Sequence, residues 1–160
     1  MELHKTKNGL SEETREKVIG ILNARLADAS DLKSQAKQAH WNVKGIHFFQ
    51  LHELFDQVAT AAEAHTDLIA ERVTALGGVA LGTVRVAAQN SSLSEYPLEI
   101  TDGTAHVDAL STALADFGNI VRRNIDEAAD LGDADTADLF TEVSREIDKL
   151  LWFVEAHIQA

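Results

Sequence analysis

At 160 residues, with 45% hydrophobic and 25% charged side chains, the chain is sized and composed for one globular domain, which excludes a disordered or fibrous class. No apolar run approaches the roughly 20 residues a bilayer span needs, and Met1 to Leu10 lacks the apolar stretch of a secretion signal, so a cytoplasmic protein with no membrane association is expected. The absence of cysteine leaves His, Asp and Glu as metal ligands, and a formal charge of -12 draws cations while disfavouring a broad nucleic-acid surface.

Residues 1–10 read as a short mobile tail ahead of a single domain that takes in the rest of 1–160. A first helix is predicted from Ser11, an N-cap followed by Glu12 and Glu13, whose charges suit the positive end of the helix dipole. Val18, Ile21, Leu22, Leu26, Leu32 and Ala36 recur along it at helical spacing, and it stops before Gly45. A second helix runs from about Phe48 to Leu76, closed by Gly77 and Gly78. The mixed stretch from Val79 to Ile100, with the chain's one proline, Pro97, is too long for a turn and has room for a short helix of its own. A third helix begins near Thr101 or Asp102 and passes through Val107, Leu110, Leu114, Phe117 and Val121 to about Gly132. Asp133 caps a fourth, which carries Phe140, Val143, Ile147, Leu150 and Val154 towards the C-terminus.

The fold class is therefore all-α: four long helices with a long crossover between the second and third, the ferritin-like topology of a four-helix bundle. An unrelated bundle with the same helix count fits the pattern equally well.

The second helix carries two i, i+4 pairs, His52 with Asp56 and Asp67 with Glu71. At about 100° per residue the four positions fall at roughly 0°, 40°, 60° and 100°, one stripe opposite the apolar set Leu54, Phe55, Val58, Ala62, Ile69, Val73 and Leu76. Fifteen residues, about 22 Å of helix, separate the pair midpoints, too far for both to reach one ion within a chain. The pairs share a common midpoint between Ala61 and Ala62. An antiparallel copy about a two-fold axis there sets His52 beside Glu71 of its mate and Asp56 beside Asp67, with Ala59, Thr60 and Ala64 small enough for close approach. His40, at the end of the first helix, is a further candidate ligand, and a mixed carboxylate and imidazole set without sulfur suits iron.

The stretch Gln38-Ala39-His40-Trp41-Asn42-Val43-Lys44-Gly45, then Leu51-His52-Glu53-Leu54-Phe55-Asp56, then Asp67-Leu68-Ile69-Ala70-Glu71-Arg72 with Leu76-Gly77-Gly78, resembles the signature of Dps proteins, the mini-ferritins. Tyr96-Pro97 and the ending from Asp148 to His157 extend the likeness over essentially the whole chain. The resemblance implies a ferroxidase site with His40, His52 and Asp56 from one subunit and Asp67 and Glu71 from its two-fold mate, holding two irons, with zinc or other divalent ions as competitors. It also implies a dodecameric cage that stores ferric mineral, with hydrogen peroxide preferred over oxygen as oxidant, so that DNA is protected from oxidative damage. By the same resemblance Trp41 lies near the iron; a core aromatic closing the helix junction is the alternative. The sequence has no Glu-x-x-His motif, which argues against the ferritins that bind both irons inside one bundle.

Several residues carry two readings. Lys44 and Arg72 pair with site carboxylates across the dimer or form surface ion pairs. Asp130, Asp133, Asp135 and Asp138 line an acidic pore or serve as helix caps and solvated turn residues. His65, at about 220° on the wheel, is expected as a hydrogen-bonded core histidine. His157 defaults to the surface, His47 stands close enough to the motifs for a secondary metal contact, and His4 and His106 are uninformative. DNA binding through Lys5 and Lys7 is expected to be weak or absent near neutral pH, nucleoid association being what such binding would bring. A helical assembly that buffers metal without redox turnover is the remaining reading.

Overall fold

The computed structural model describes residues 3–159; of the tail, residues 1 and 2 lie outside them. Five helices occupy the described chain: α1 (Glu12–Asn42), α2 (Phe48–Ala75), α3 (Val84–Asn90), α4 (Gly103–Asp130) and α5 (Ala134–Glu155). α1 and α2 form one hairpin, α4 and α5 the other, with α1 against α4, α2 against α5, and α3 lying on α1.

Local chemistry sets the helix ends. Ser11 accepts the Thr14 amide through its hydroxyl at 3.1 Å, and Asp133 does the same for Thr136 at 3.0 Å, each satisfying an amide that the first turn leaves without a partner. At the end of α2, Gly77 turns at φ 87° while its amide and that of Gly78 close on the Thr74 and Val73 carbonyls. A side chain at Gly77 would be excluded twice, since a Cβ there would stand 2.6 Å from the His4 carbonyl oxygen. The N-terminal segment is tied at this point by a 2.8 Å bond from the His4 amide to the Gly77 carbonyl, while Lys5 and Lys7 remain exposed.

The whole apolar face predicted for α2, Leu54 through Leu76, is buried, together with Phe117, Phe140, Leu22 and Leu32 from the other helices. The short helix fits the room left for it, but the crossover is held by contacts its own sequence does not suggest. Asn23 of α1 donates to the Val79 carbonyl and accepts from the Leu81 amide, Asp28 accepts from the amide and hydroxyl of Ser92, Asp31 accepts from the Ser91 hydroxyl, and Gln35 donates to the Ser94 carbonyl. α5 ends at Glu155, short of the C-terminus, where the His157 ring closes on the Phe153 and Val154 carbonyls at 2.9 and 3.2 Å.

His65 is in the core as expected, but it is not hydrogen-bonded: neither ring nitrogen has a bonding partner, although Glu146 of α5 approaches Nε2 to 3.2 Å. Wheel position predicts burial and is silent on partners. Burial holds the imidazole below its usual value, against the opposing pull of Glu146 and Glu142. A depressed histidine binds fewer protons folded than unfolded, so stability rises with pH between the folded and unfolded values and falls as pH drops below about 6.5. Thermal unfolding between pH 7.5 and 5 is expected to show a declining midpoint that His65→Leu flattens in part; an unchanged slope would remove His65 from the linkage.

Candidate functional site

α1 and α2 meet where Gly45, at φ 112°, turns the chain. Across this junction His40 and His52 stack with ring centroids 3.7 Å apart and planes 20° from parallel. Each Nδ1 reaches the other residue's carbonyl, at 2.7 Å from His40 to His52 and at 2.8 Å in return. A carbonyl only accepts, so both Nδ1 atoms carry the proton and both Nε2 atoms present a lone pair. The His40 carbonyl belongs to the last turn of α1, where helical partners run out, so the clasp also satisfies a helix end.

One turn beyond His52, Asp56 is half-buried and accepts a 2.5 Å hydrogen bond from the Lys37 ammonium of α1. That bond is the main reason its carboxyl is held below the usual range; the positive field of Lys37 acts in the same direction against desolvation. Sequence reasoning missed Lys37, although it precedes His40 by three residues and so shares its helical face.

Asp67 and Glu71 are exposed further along α2, on the stripe that also carries His52 and Asp56. The protomer joins His40 to His52, sets Asp56 one turn further along α2 against Lys37, and leaves Asp67 and Glu71 apart from them. Among the described residues, no group of three or more His, Asp or Glu side chains of one protomer stands ready to hold a metal ion. Of the small residues assigned to the axis, Ala59 is buried at 3% exposure and faces the bundle core; Thr60 and Ala64 are exposed and Ala61 half-buried. Nearness to the axis along the chain put residues of two faces into that group.

Other positions resolve more simply. Trp41 is 65% exposed, so it does not close the junction as a core aromatic. Within the protomer Arg72 donates to buried Asp133 at 2.7 Å and to Thr136 at 2.9 Å, joining α2 to the cap of α5, and stands 4.0 Å from the exposed carboxylate of Asp135. This removes Asp133 from the candidate pore residues, since it is 2% exposed and already committed to Arg72 and Thr136. Asp130, Asp135 and Asp138 are exposed. Lys44 is exposed and bridges backbone to backbone with Asp102; with His47 and His157 it lines one surface cavity. No described helix is long and apolar enough to cross a membrane.

Comparison with known proteins identifies the family and the fold. The family model described as a ferritin-like domain matches residues 19–160. The DNA protection during starvation protein of Agrobacterium fabrum is 46% identical over 159 residues, covering 99% of this chain and 98% of that one. Its counterpart in Brevibacillus brevis is 31% identical over 144 residues, 87% of this chain and 93% of that one. Among solved structures, Mycobacterium smegmatis Dps superposes with a TM-score of 0.93 at 30% identity, covering 98% of this chain and 95% of that one. Dps from Microbacterium arborescens in the high iron form gives 0.87 at 29% identity, covering 94% and 100%. The chain belongs to the Dps family of ferritin-like proteins.

Proposed function

We propose that this protein oxidises ferrous iron at sites completed by two subunits and stores the ferric product in a dodecameric cage. The observation that carries the reading is the His40–His52 clasp, which holds two Nε2 lone pairs beside Asp56 and at one end of an outward stripe whose other end is Asp67 and Glu71. An antiparallel second copy of α2 brings the ends together. Exposed Trp41, Ile46 and Phe49 at the α1–α2 junction, and Leu68 beside Asp67, are apolar surface that such a mate would cover.

The site residues divide the work by chemistry. Asp56, Asp67 and Glu71 supply negative charge, which favours ferric over ferrous iron and so lowers the reduction potential; His40 and His52 supply fixed neutral donors that set geometry. Lys37 neutralises Asp56 before iron arrives, and the carboxylate must exchange the ammonium for the metal. Two ferrous ions each give one electron to a peroxide O–O bond, which breaks and takes up two protons to leave two waters. Zinc, with the same taste for imidazole and carboxylate, competes for the site. Charge favours entry of cations over retention of DNA: at -12 per chain, Lys5 and Lys7 offer weak anchorage, and a low-salt gel-shift titration is expected to show little complex near neutral pH.

Anaerobic ferrous loading followed by a peroxide pulse tests the reading. Ferric absorbance should rise at once, with peroxide consumed at one per two irons. Iron bound without peroxide consumption would instead make the assembly a metal buffer.

A further inference from the structure

Tyr96 is the chain's one tyrosine, half-buried in the crossover. Its hydroxyl lies 2.7 Å from Nδ1 of His106, in the first turn of α4, with ring centroids 6.0 Å apart. His106 is 1% exposed and its Nε2 makes no hydrogen bond. Nδ1 is the phenol's one recorded partner among the described residues. With the phenol donating, the imidazole's own proton sits on Nε2 and Nδ1 is the accepting base.

Burial raises the phenol above its ordinary value and lowers the imidazole below its own, so both are neutral near pH 7. Against the burial that lowers it, backbone at Asn42 and Ile100 and the carboxylate of Asp102 favour the protonated ring, and Lys44 is the one nearby charge that adds to the opposition. Asn42 is the residue after Trp41 and two beyond His40, about 3 Å of helix rise. The Lys44 amide, bonded to the Thr101 carbonyl at 3.2 Å, fastens the end of α1 to the approach to α4.

We propose that Tyr96 and His106 form a proton-coupled trap for one-electron oxidants generated beside the end of α1. The source of the oxidant rests on the ferroxidase reading above; the pair itself does not. A hydroxyl radical, formed when a single ferrous electron cleaves peroxide, takes one electron from Tyr96 and becomes hydroxide, which a solvent proton converts to water. The phenolic O–H bond breaks as an N–H bond forms at Nδ1, leaving a neutral tyrosyl radical beside an imidazolium. A further ferrous ion returns the electron, the proton goes back to the phenol oxygen, and the iron leaves as ferric. Transfer along the existing hydrogen bond spares the interior a tyrosine cation, whose burial without a compensating partner would be prohibitive.

A single tyrosine makes the test unambiguous, because any tyrosyl signal is Tyr96. Metal-free assembled protein is illuminated with a soluble ruthenium photo-oxidant and followed by electron paramagnetic resonance; a second arm freezes ferrous-loaded protein after a peroxide pulse. Wild type should give a tyrosyl signal in both arms, Tyr96→Phe in neither. His106→Gln, whose amide accepts a hydrogen bond but is no base, should form the radical about 100-fold more slowly. No photochemical signal in wild type, or a wild-type rate in His106→Gln, overturns the proposal. If that variant does not assemble, an unchanged wild-type rate in heavy water overturns it equally. Normal iron oxidation without a tyrosyl signal in the second arm refutes the link to iron. A photochemical signal in protein that does not oxidise iron sinks the ferroxidase reading and upholds the pair.

Discussion

Two inactive variants are expected to repair each other. Asp56→Ala and Glu71→Ala should each lower the initial rate of ferric absorbance by about 10- to 100-fold, since each removes an anionic ligand. Both side chains stand outside the bundle core, so the fold should survive. Unfolded together and reassembled at equal ratio, the variants make half of all dimers mixed. In a mixed dimer one site carries both lesions, while the other joins intact His40, His52 and Asp56 from one chain to intact Asp67 and Glu71 from its mate. About a quarter of wild-type activity should return. Were both ligand groups to serve a site within one chain, every subunit would keep a lesion and mixing would restore nothing; that outcome would refute the shared centre.

The largest expected loss of stability comes from a residue far from any iron chemistry. Asp28 is fully buried, paired with Arg25 at 2.8 Å and accepting from Ser92 at 2.7 Å. Asp28→Ala leaves the guanidinium without its counter-charge and frees the crossover from the middle of α1, at a cost of about 3–5 kcal/mol. Urea unfolding should show the full loss, and limited proteolysis should find new cleavage between 79 and 95. Asp28→Asn, which keeps an acceptor for Ser92 and drops the charge, should protect the crossover better than alanine does. Equal cleavage in the two variants would assign the effect to the ion pair alone.

How legible these features were depended on whether periodicity could carry them. The α2 apolar face was readable because each of its seven positions repeats with the helix, and the outward stripe followed as its complement. Ser11 and Asp133 were readable as caps, since an acceptor before a helix has one dominant use. Asn23, Asp28, Asp31 and Gln35 were not: on the wheel they are polar residues of an amphipathic helix, and only the returning crossover turns them into a row of clamps. Arg72 and Asp133 misled for a related reason, because charge in a sequence suggests solvent or metal, and a buried pair 61 residues apart leaves no local mark. The ligand set was read as a symmetry of one helix, which a single protomer neither completes nor contradicts; Lys37 escaped because the cations weighed for the site were Lys44 and Arg72, which adjoin the motifs in sequence.

The reciprocal bonds between His40 and His52 bear on how such a centre can be altered. In the proposed centre each imidazole serves as a donor to metal as well as a bolt between two helices, so replacing either should retune the chemistry and loosen the hairpin in the same stroke. Asp67 and Glu71 stand free of the scaffold and carry no such double duty. Divergence or engineering that changes which ion is favoured should therefore accumulate at the carboxylates, with the imidazoles as the fixed hardware around which they vary.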